Sequence, residues 1–271
     1  MKISGLTKCS MVDYPGKMAA VVFTPGCNMA CYYCHNHWLK SDSPEHRRFE
    51  EEDVLKTIER RKDFLDGVVI TGGEPTLQSG LERFILDIRA MGLSVKLDTN
   101  GTRPDILQDL VENRMVDYVA MDIKAPPEKY ESICGLNITG MCGGSVDLEA
   151  VEASITALIH GKVDYEFRTT FAPELTRADL RAMGNWIRGA KRYVLQQYRP
   201  VRAEWFGQEE TLTDEPLPSE TIIEWAGDIR HLVGELRCRG LGVETIDPPR
   251  ATADYIDHGD YTDMDMGAMP A

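Results

Sequence analysis

Val21-Val22-Phe23-Thr24-Pro25-Gly26-Cys27-Asn28-Met29-Ala30-Cys31-Tyr32-Tyr33-Cys34-His35-Asn36 runs from a β-branched stretch into a turn-rich loop that carries three thiols. The apolar run that begins at Met18 predicts a strand covered on both faces, the habit of a parallel sheet. A structural zinc site wants four nitrogen or sulfur ligands, and an ordinary ferredoxin cluster wants four cysteines. The spacing here is C-x3-C-x2-C. A cubane held by Cys27, Cys31 and Cys34 alone keeps one iron free of protein ligands. An open metal position is where a small molecule binds and reacts. A zinc loop completed by His35 or His37 is the competing reading of the same residues.

Outward from that loop, strand and helix patterns alternate. Short apolar runs recur at Gly67–Ile70, Ser94–Leu97, Tyr118–Ile123, Val163–Phe167 and Tyr193–Leu195. One-sided helical patterns lie at Glu50–Phe64, Leu81–Met91, Asp105–Arg114, Leu148–Ile159, Ala178–Arg188 and Ile222–Leu232. Six strand–helix units predict an α/β fold with a parallel sheet and right-handed crossovers. A doubly wound open sheet would satisfy that pattern. A partial (β/α)6 barrel of parallel strands suits it better, because the polar motifs all fall at C-terminal strand ends, where barrel active sites assemble. Ile3–Leu6 reads as an edge strand and Pro15-Gly16 as a turn. Residues 1–246 form one expected domain, and 247–271, rich in Asp, Gly, Pro and Met, an acidic extension without periodicity.

The 271 residues carry a formal charge of −14, which opposes non-specific binding to a phosphate backbone. No stretch approaches the ~20 apolar residues that span a bilayer, and the first residues show no signal-peptide core. The expectation is a cytoplasmic protein with neither nucleic acid nor membrane as partner. Seven cysteines, three of them in one loop, suit metal chemistry in a reducing compartment better than a disulfide framework. Cys9, Cys134, Cys142 and Cys238 read as structural thiols, with a ligand role for Cys134 and Cys142 left open.

Three further stretches carry polar chemistry. In Thr71-Gly72-Gly73-Glu74-Pro75 the glycines admit close approach to the backbone. Asp98, in Asp98-Thr99-Asn100-Gly101, and Asp122 with Lys124 bring charge to one mouth, which is costly unless the charges meet a ligand or each other. Arg168 offers a planar cation suited to a carboxylate. Gln196 and Gln197 lie on opposite faces of their strand, and Gln196 is taken as the inward one.

The cysteine spacing, with Tyr33 directly before the last thiol, resembles the signature of the radical S-adenosylmethionine (SAM) superfamily. The resemblance implies a [4Fe-4S] cluster on Cys27, Cys31 and Cys34, with SAM chelating the open iron. Reductive cleavage then gives methionine and a 5′-deoxyadenosyl radical. Gly72-Gly73-Glu74 is similar to the motif that binds the SAM ammonium, and Tyr33 stands where that superfamily holds adenine. The Asp98–Gly101 and Asp122–Lys124 segments resemble the activating enzymes of glycyl radical enzymes. This implies SAM contacts from Asp98, Asn100, Lys124, Arg168 and Gln196, and a monovalent cation (Na or K) held by Asp98, Thr99 and Asp122.

Together with Gly5–Lys17, Asp122–Pro126, Tyr165–Thr170 and Tyr193–Pro200, these motifs resemble the anaerobic ribonucleoside-triphosphate reductase activating proteins from about residue 3 to about residue 240. Residues 133–145 and the tail depart from that pattern. The implied partners are an anaerobic ribonucleotide reductase and an external flavodoxin or ferredoxin, since the chain lacks additional C-x2-C pairs. The rivals are a radical SAM enzyme acting on a small molecule or peptide, such as the 7-carboxy-7-deazaguanine synthases, and a non-catalytic iron–sulfur or zinc module.

Overall fold

Alternate residues of a strand face opposite sides of a sheet, and in this chain the two sides meet different partners. The structure, a computed structural model, describes residues 1–40, 42, 48–135, 146–200 and 215–242. Cys142, the boundary after residue 246 and the tail 247–271 lie outside the described residues. One sheet holds β1 (Gly5–Tyr14), β2 (Lys17–Thr24), β3 (Gly67–Gly72), β4 (Ser94–Thr99), β5 (Tyr118–Asp122), β6 (Asp164–Phe171), β7 (Arg192–Gln197) and β8 (Glu235–Arg239), in that spatial order. β1 runs antiparallel to β2, and every later neighbouring pair is parallel.

Helices α1 (Glu51–Glu59), α2 (Leu81–Ala90), α3 (Pro104–Glu112), α4 (Leu148–His160), α5 (Arg177–Trp186) and α6 (Ser219–Ala226) lie between the parallel strands. Their apolar stripes supply Phe84, Ile88, Leu107, Leu110, Ile155, Leu158, Leu180 and Met183 to the large core. These pack with Val68, Ile70, Val95, Leu97, Val119, Phe167 and Leu195 from one side of the sheet. The other side buries only a small cluster: Tyr14, Ala19, Val21, Val69, Tyr118 and Ala120.

That smaller cluster shows the curl of the sheet. The Tyr14 and Tyr118 rings, on β1 and β5, have centroids 5.9 Å apart, whereas four flat inter-strand steps would separate their strands by about 19 Å. The sheet therefore wraps around an inner face. β1 and β8 stand at opposite ends of the strand order, so it does not close. This is the parallel α/β architecture expected from the alternation.

Several boundaries differ from the sequence reading: β1 runs Gly5–Tyr14 where Ile3–Leu6 is expected, and α1 stops at Glu59. Seven strands are parallel, since Glu235–Arg239 adds β8 beside β7. Its sequence, Glu-Leu-Arg-Cys-Arg, hides the strand because Glu235, Arg237 and Arg239 occupy the inner face and leave only Leu236 and Cys238 for the apolar side. The last helix stops at Ala226 and the chain continues to a separate 3-10 turn, Arg230–Leu232, before β8.

α5 begins with a reciprocal cap: the Thr176 side chain accepts from Asp179 N–H, and the Asp179 carboxylate accepts from Thr176 N–H at 2.7 Å. Thr176→Ala is expected to lower stability by about 1 kcal/mol. In a chain of this size that appears as a fall in Tm of about 2–4 °C, measured by circular dichroism.

Candidate functional site

The cysteine loop is stitched to its neighbours by backbone groups. Gly26 N–H donates to Leu39 O at 2.7 Å and Cys27 N–H to Lys40 O at 3.1 Å, which folds residues 26–40 back on themselves. The end of β3 then lies against the loop: Gly73 N–H donates to Thr24 O at 2.7 Å and Glu74 N–H to Gly26 O at 2.8 Å. A side chain at Gly73 would place its first carbon 2.1 Å from the Gly26 carbonyl oxygen, and Gly72 holds φ +119°. Both glycines are thus required by the meeting of two loops, a constraint that the sequence reading had assigned to ligand approach.

Glu74 closes the junction. Its carboxylate is buried and accepts from Thr76 N–H at 3.1 Å, Thr76 Oγ1 at 2.6 Å, Thr99 Oγ1 at 2.7 Å and Asn100 N–H at 2.7 Å. Burial raises its carboxyl, and these donors oppose the rise. The side chain therefore ties β3 to the end of β4, leaving the backbone of residues 72–74 to face the cavity. Asn100 continues the tie to the cysteine loop, donating to Asn28 Oδ1 at 2.9 Å.

A cavity of about 190 Å³ opens between these strand ends. Cys27, Cys31 and Cys34 line it together with Tyr33, Gly72, Gly73, Glu74, Asp98, Thr99, Asn100, Asp122 and Lys124. Burial pushes the Cys27 thiol up to about 12 and also raises Cys34. Cys31 is drawn down to about 6 by its hydrogen bond with the buried Cys134 thiol, with Lys124 and Lys40 helping against burial. Among the described residues no three His, Cys, Asp or Glu side chains converge as they would around a single ion; the three thiols share the cavity wall. Tyr33 is 5% exposed and its hydroxyl is buried with no hydrogen-bond partner. Three soft sulfur donors, an orphaned hydroxyl and an open cavity fit a cluster with a polar small molecule beside it.

On the inner face of the sheet the charges form a ladder. Lys96 Nζ donates to Asp98, Arg168 reaches Asp122 at 2.8 Å and Asp98 at 3.4 Å, and Lys124 Nζ donates to Asp122 at 2.7 Å. Burial opposes ionisation of both aspartates, but Arg168 with Lys96 lowers Asp98, and Arg168 with Lys124 holds Asp122 at about 2. Register puts Gln196 on the face of Thr170 and Arg168, beside the rim, while Gln197 donates to Leu217 O at 3.1 Å. Neither Arg168 nor Gln196 lines the cavity itself.

Lys96, Thr76, Asn28, Lys40 and Thr170 escaped the sequence reading. Lys96 left a signal: a lysine two residues before Asp98 in an otherwise apolar strand shares its face. Thr76 donates to Glu74 two residues before it, whereas Asn28 works through Asn100 and Thr102, far away in sequence.

The radical SAM superfamily model matches residues 21–187, from β2 through α5. The chain belongs to the radical SAM superfamily. Its members use a [4Fe-4S] cluster and SAM, and the three cysteines and the strand-end cavity are the parts of this radical SAM chain that fit them. A protein of Methanocaldococcus jannaschii bearing the provisional name of a glycyl-radical enzyme activating enzyme is 34% identical over 238 residues, 84% of this chain and 90% of that one. The pyruvate formate-lyase-activating enzyme of Clostridium pasteurianum is 29% identical over 203 residues, 70% of this chain and 77% of that one. Among solved structures, TYW1 with a lysine–pyruvate adduct bound shares the fold, with TM-score 0.56 and 18% identity over 80% of this chain and 74% of that one.

Gly73→Ala is expected to part the two loops and lower both the Tm of the apoprotein and the iron retained after anaerobic reconstitution, read by iron analysis. The ladder predicts an acid dependence. Asp98 and Asp122 titrate below the ordinary 3.8, so their contribution is complete above about pH 4 and is lost as pH falls, that of Asp122 through about 2. Asp122→Asn should flatten stability between those values and, by leaving Arg168 and Lys124 underpaired, cost about 3 kcal/mol at pH 7. Urea unfolding of the apoprotein at each pH measures both effects.

Proposed function

We propose that this chain is a cytoplasmic activase that installs a glycyl radical on a large partner enzyme, and that the partner is an anaerobic ribonucleotide reductase. The reading is carried by one observation: the cysteine loop, the Gly72–Glu74 junction and the charged ladder converge on one cavity in a chain 34% identical over most of its length to a protein named as such an activator. Among the described residues β1 and β8 do not pair with each other, and an unclosed sheet suits a macromolecular substrate. The reductase as target rests on the motifs of β1, β5, β6 and β7, which resemble those of its activating proteins.

Cys27, Cys31 and Cys34 would hold the cluster. Backbone groups of residues 72–74, Asn100 and Lys124 would hold SAM, with Tyr33 closing the buried side. When bound, the cluster would supply the electron for reductive cleavage of the SAM sulfonium, the chemistry that would remove a hydrogen atom from the glycine. The chain's own contribution is placement and exclusion of water: the four donors to Glu74 hold the strand ends, and Lys124, fixed by Asp122, presents a cation to a ligand carboxylate. An external one-electron donor, flavodoxin or ferredoxin, completes the scheme.

The test is anaerobic. Reconstituted protein, SAM, dithionite and an anaerobic ribonucleotide reductase should give 5′-deoxyadenosine and a glycyl doublet in the electron paramagnetic resonance spectrum of the reductase. 5′-Deoxyadenosine without that doublet would overturn the reductase as target. If other glycyl radical enzymes also fail to acquire the signal, the activase reading is overturned in favour of a small-molecule or peptide substrate.

A further inference from the structure

We propose that Arg168 itself occupies the cation position between Asp98 and Asp122, so that this chain receives the carboxylate of SAM without a sodium or potassium ion. The set Asp98, Thr99 and Asp122, expected from the resemblance to hold such an ion, does not fit one. Arg168 Nε lies 2.8 Å from Asp122 Oδ1 and its Nη1 lies 3.4 Å from Asp98 Oδ2. The remaining oxygens are also engaged, Asp98 Oδ1 by Lys96 and Asp122 Oδ2 by Lys124 at 2.7 Å. All four carboxylate oxygens thus face a nitrogen cation, whereas a hard metal ion needs several free oxygen ligands. The Thr99 hydroxyl is committed elsewhere: it donates to Glu74 at 2.7 Å and accepts from Gly101 N–H at 3.1 Å.

Register explains how one side chain serves both carboxylates. Arg168 pairs directly with Asp122 across β5 and β6. Asp98 pairs with Ala120 across β4 and β5. Ala120 carries only a methyl group, so nothing on β5 blocks the guanidinium from crossing to Asp98. A guanidinium is planar, stays protonated and offers several donors in fixed directions, which suits a bridge between two carboxylates better than an ammonium would.

Charge and space oppose a metal ion here. Lys96, Arg168 and Lys124 face Asp98 and Asp122, and Glu166 acts on Lys96 and Arg168 as a further carboxylate; it accepts from Tyr118 O–H at 2.8 Å and lies 3.8 Å from Arg239. The Lys96 side chain is 2% exposed and that of Arg168 is 12% exposed. In so desolvated a site, where every oxygen of Asp98 and Asp122 already faces a cation, a metal ion would meet no unpaired anion, whereas the Lys124 ammonium at the cavity wall can meet a carboxylate. Arg168 is then a positioning residue, acting on SAM through Asp122 and Lys124.

The ligand in this inference rests on SAM as the superfamily's cofactor, and no glycyl partner enters the test. Reconstituted full-length protein is dialysed against SAM in equal concentrations of potassium, sodium or tetramethylammonium chloride. The wild type should bind SAM within about twofold in all three salts. Arg168→Gln should bind about tenfold more weakly in tetramethylammonium and recover in part with potassium or sodium, because two aspartates then lack their shared cation (about 1.4 kcal/mol for tenfold). A wild type that loses tenfold or more in tetramethylammonium, with saturable recovery by one alkali ion, would overturn the proposal. So would an Arg168→Gln protein that keeps wild-type affinity in every salt. Thallium-205 resonance on the wild type needs no variant: no titratable bound signal is expected, and a saturable signal displaced by potassium would refute the assignment.

Discussion

The contact between Gly73 and the Gly26 carbonyl is the constraint on which the site depends. Only a bare α-carbon fits there, and only that fit lets β3 end against the cysteine loop. Once the two loops touch, Glu74 is delivered beneath them, where it collects donors from its own turn and from the end of β4. Asn100 is then held against Asn28, and the cysteine loop is tied to β4 as well as β3. The cavity exists because these three strand ends cannot separate independently.

The inner face shows a different economy from the outer one. Apolar burial, which drives folding, is concentrated between helices and sheet, while the inner floor holds only the small cluster around Tyr14 and Tyr118. Above that floor the strands place Lys96, Asp98, Asp122, Arg168 and Lys124. Apolar residues of similar volume would stabilise the fold at least as well as such buried pairs do. The ladder is therefore better understood as ligand-binding machinery than as a stabilising element, and Lys124 at the cavity wall offers a cation to an anionic group there.

Much of the architecture was legible in the residues. Strand–helix alternation from Met18 to Leu232 specifies a parallel sheet because each apolar run is too short for a helix and each amphipathic segment too periodic for a strand. β8 was not legible, since charges on its inner face erase the apolar signal. The pairing of Cys134 with Cys31 was equally hidden, since it depends on where the π-helical turn Glu131–Gly135 sets its carbonyl and thiol against the cysteine loop.

The sequence by itself determined what is local: three thiols in one loop, a glycine pair at a strand end, and an aspartate and lysine two residues apart on one face. Such groupings follow from bond lengths and strand periodicity alone. Only the tertiary structure decided that Arg168 bridges Asp98 and Asp122. Those residues are separated by 70 and 46 positions along the chain, and their meeting depends on the register of three parallel strands and on an alanine in the middle one. Register is a property of the packed sheet, because each strand slides until its apolar face meets the helices.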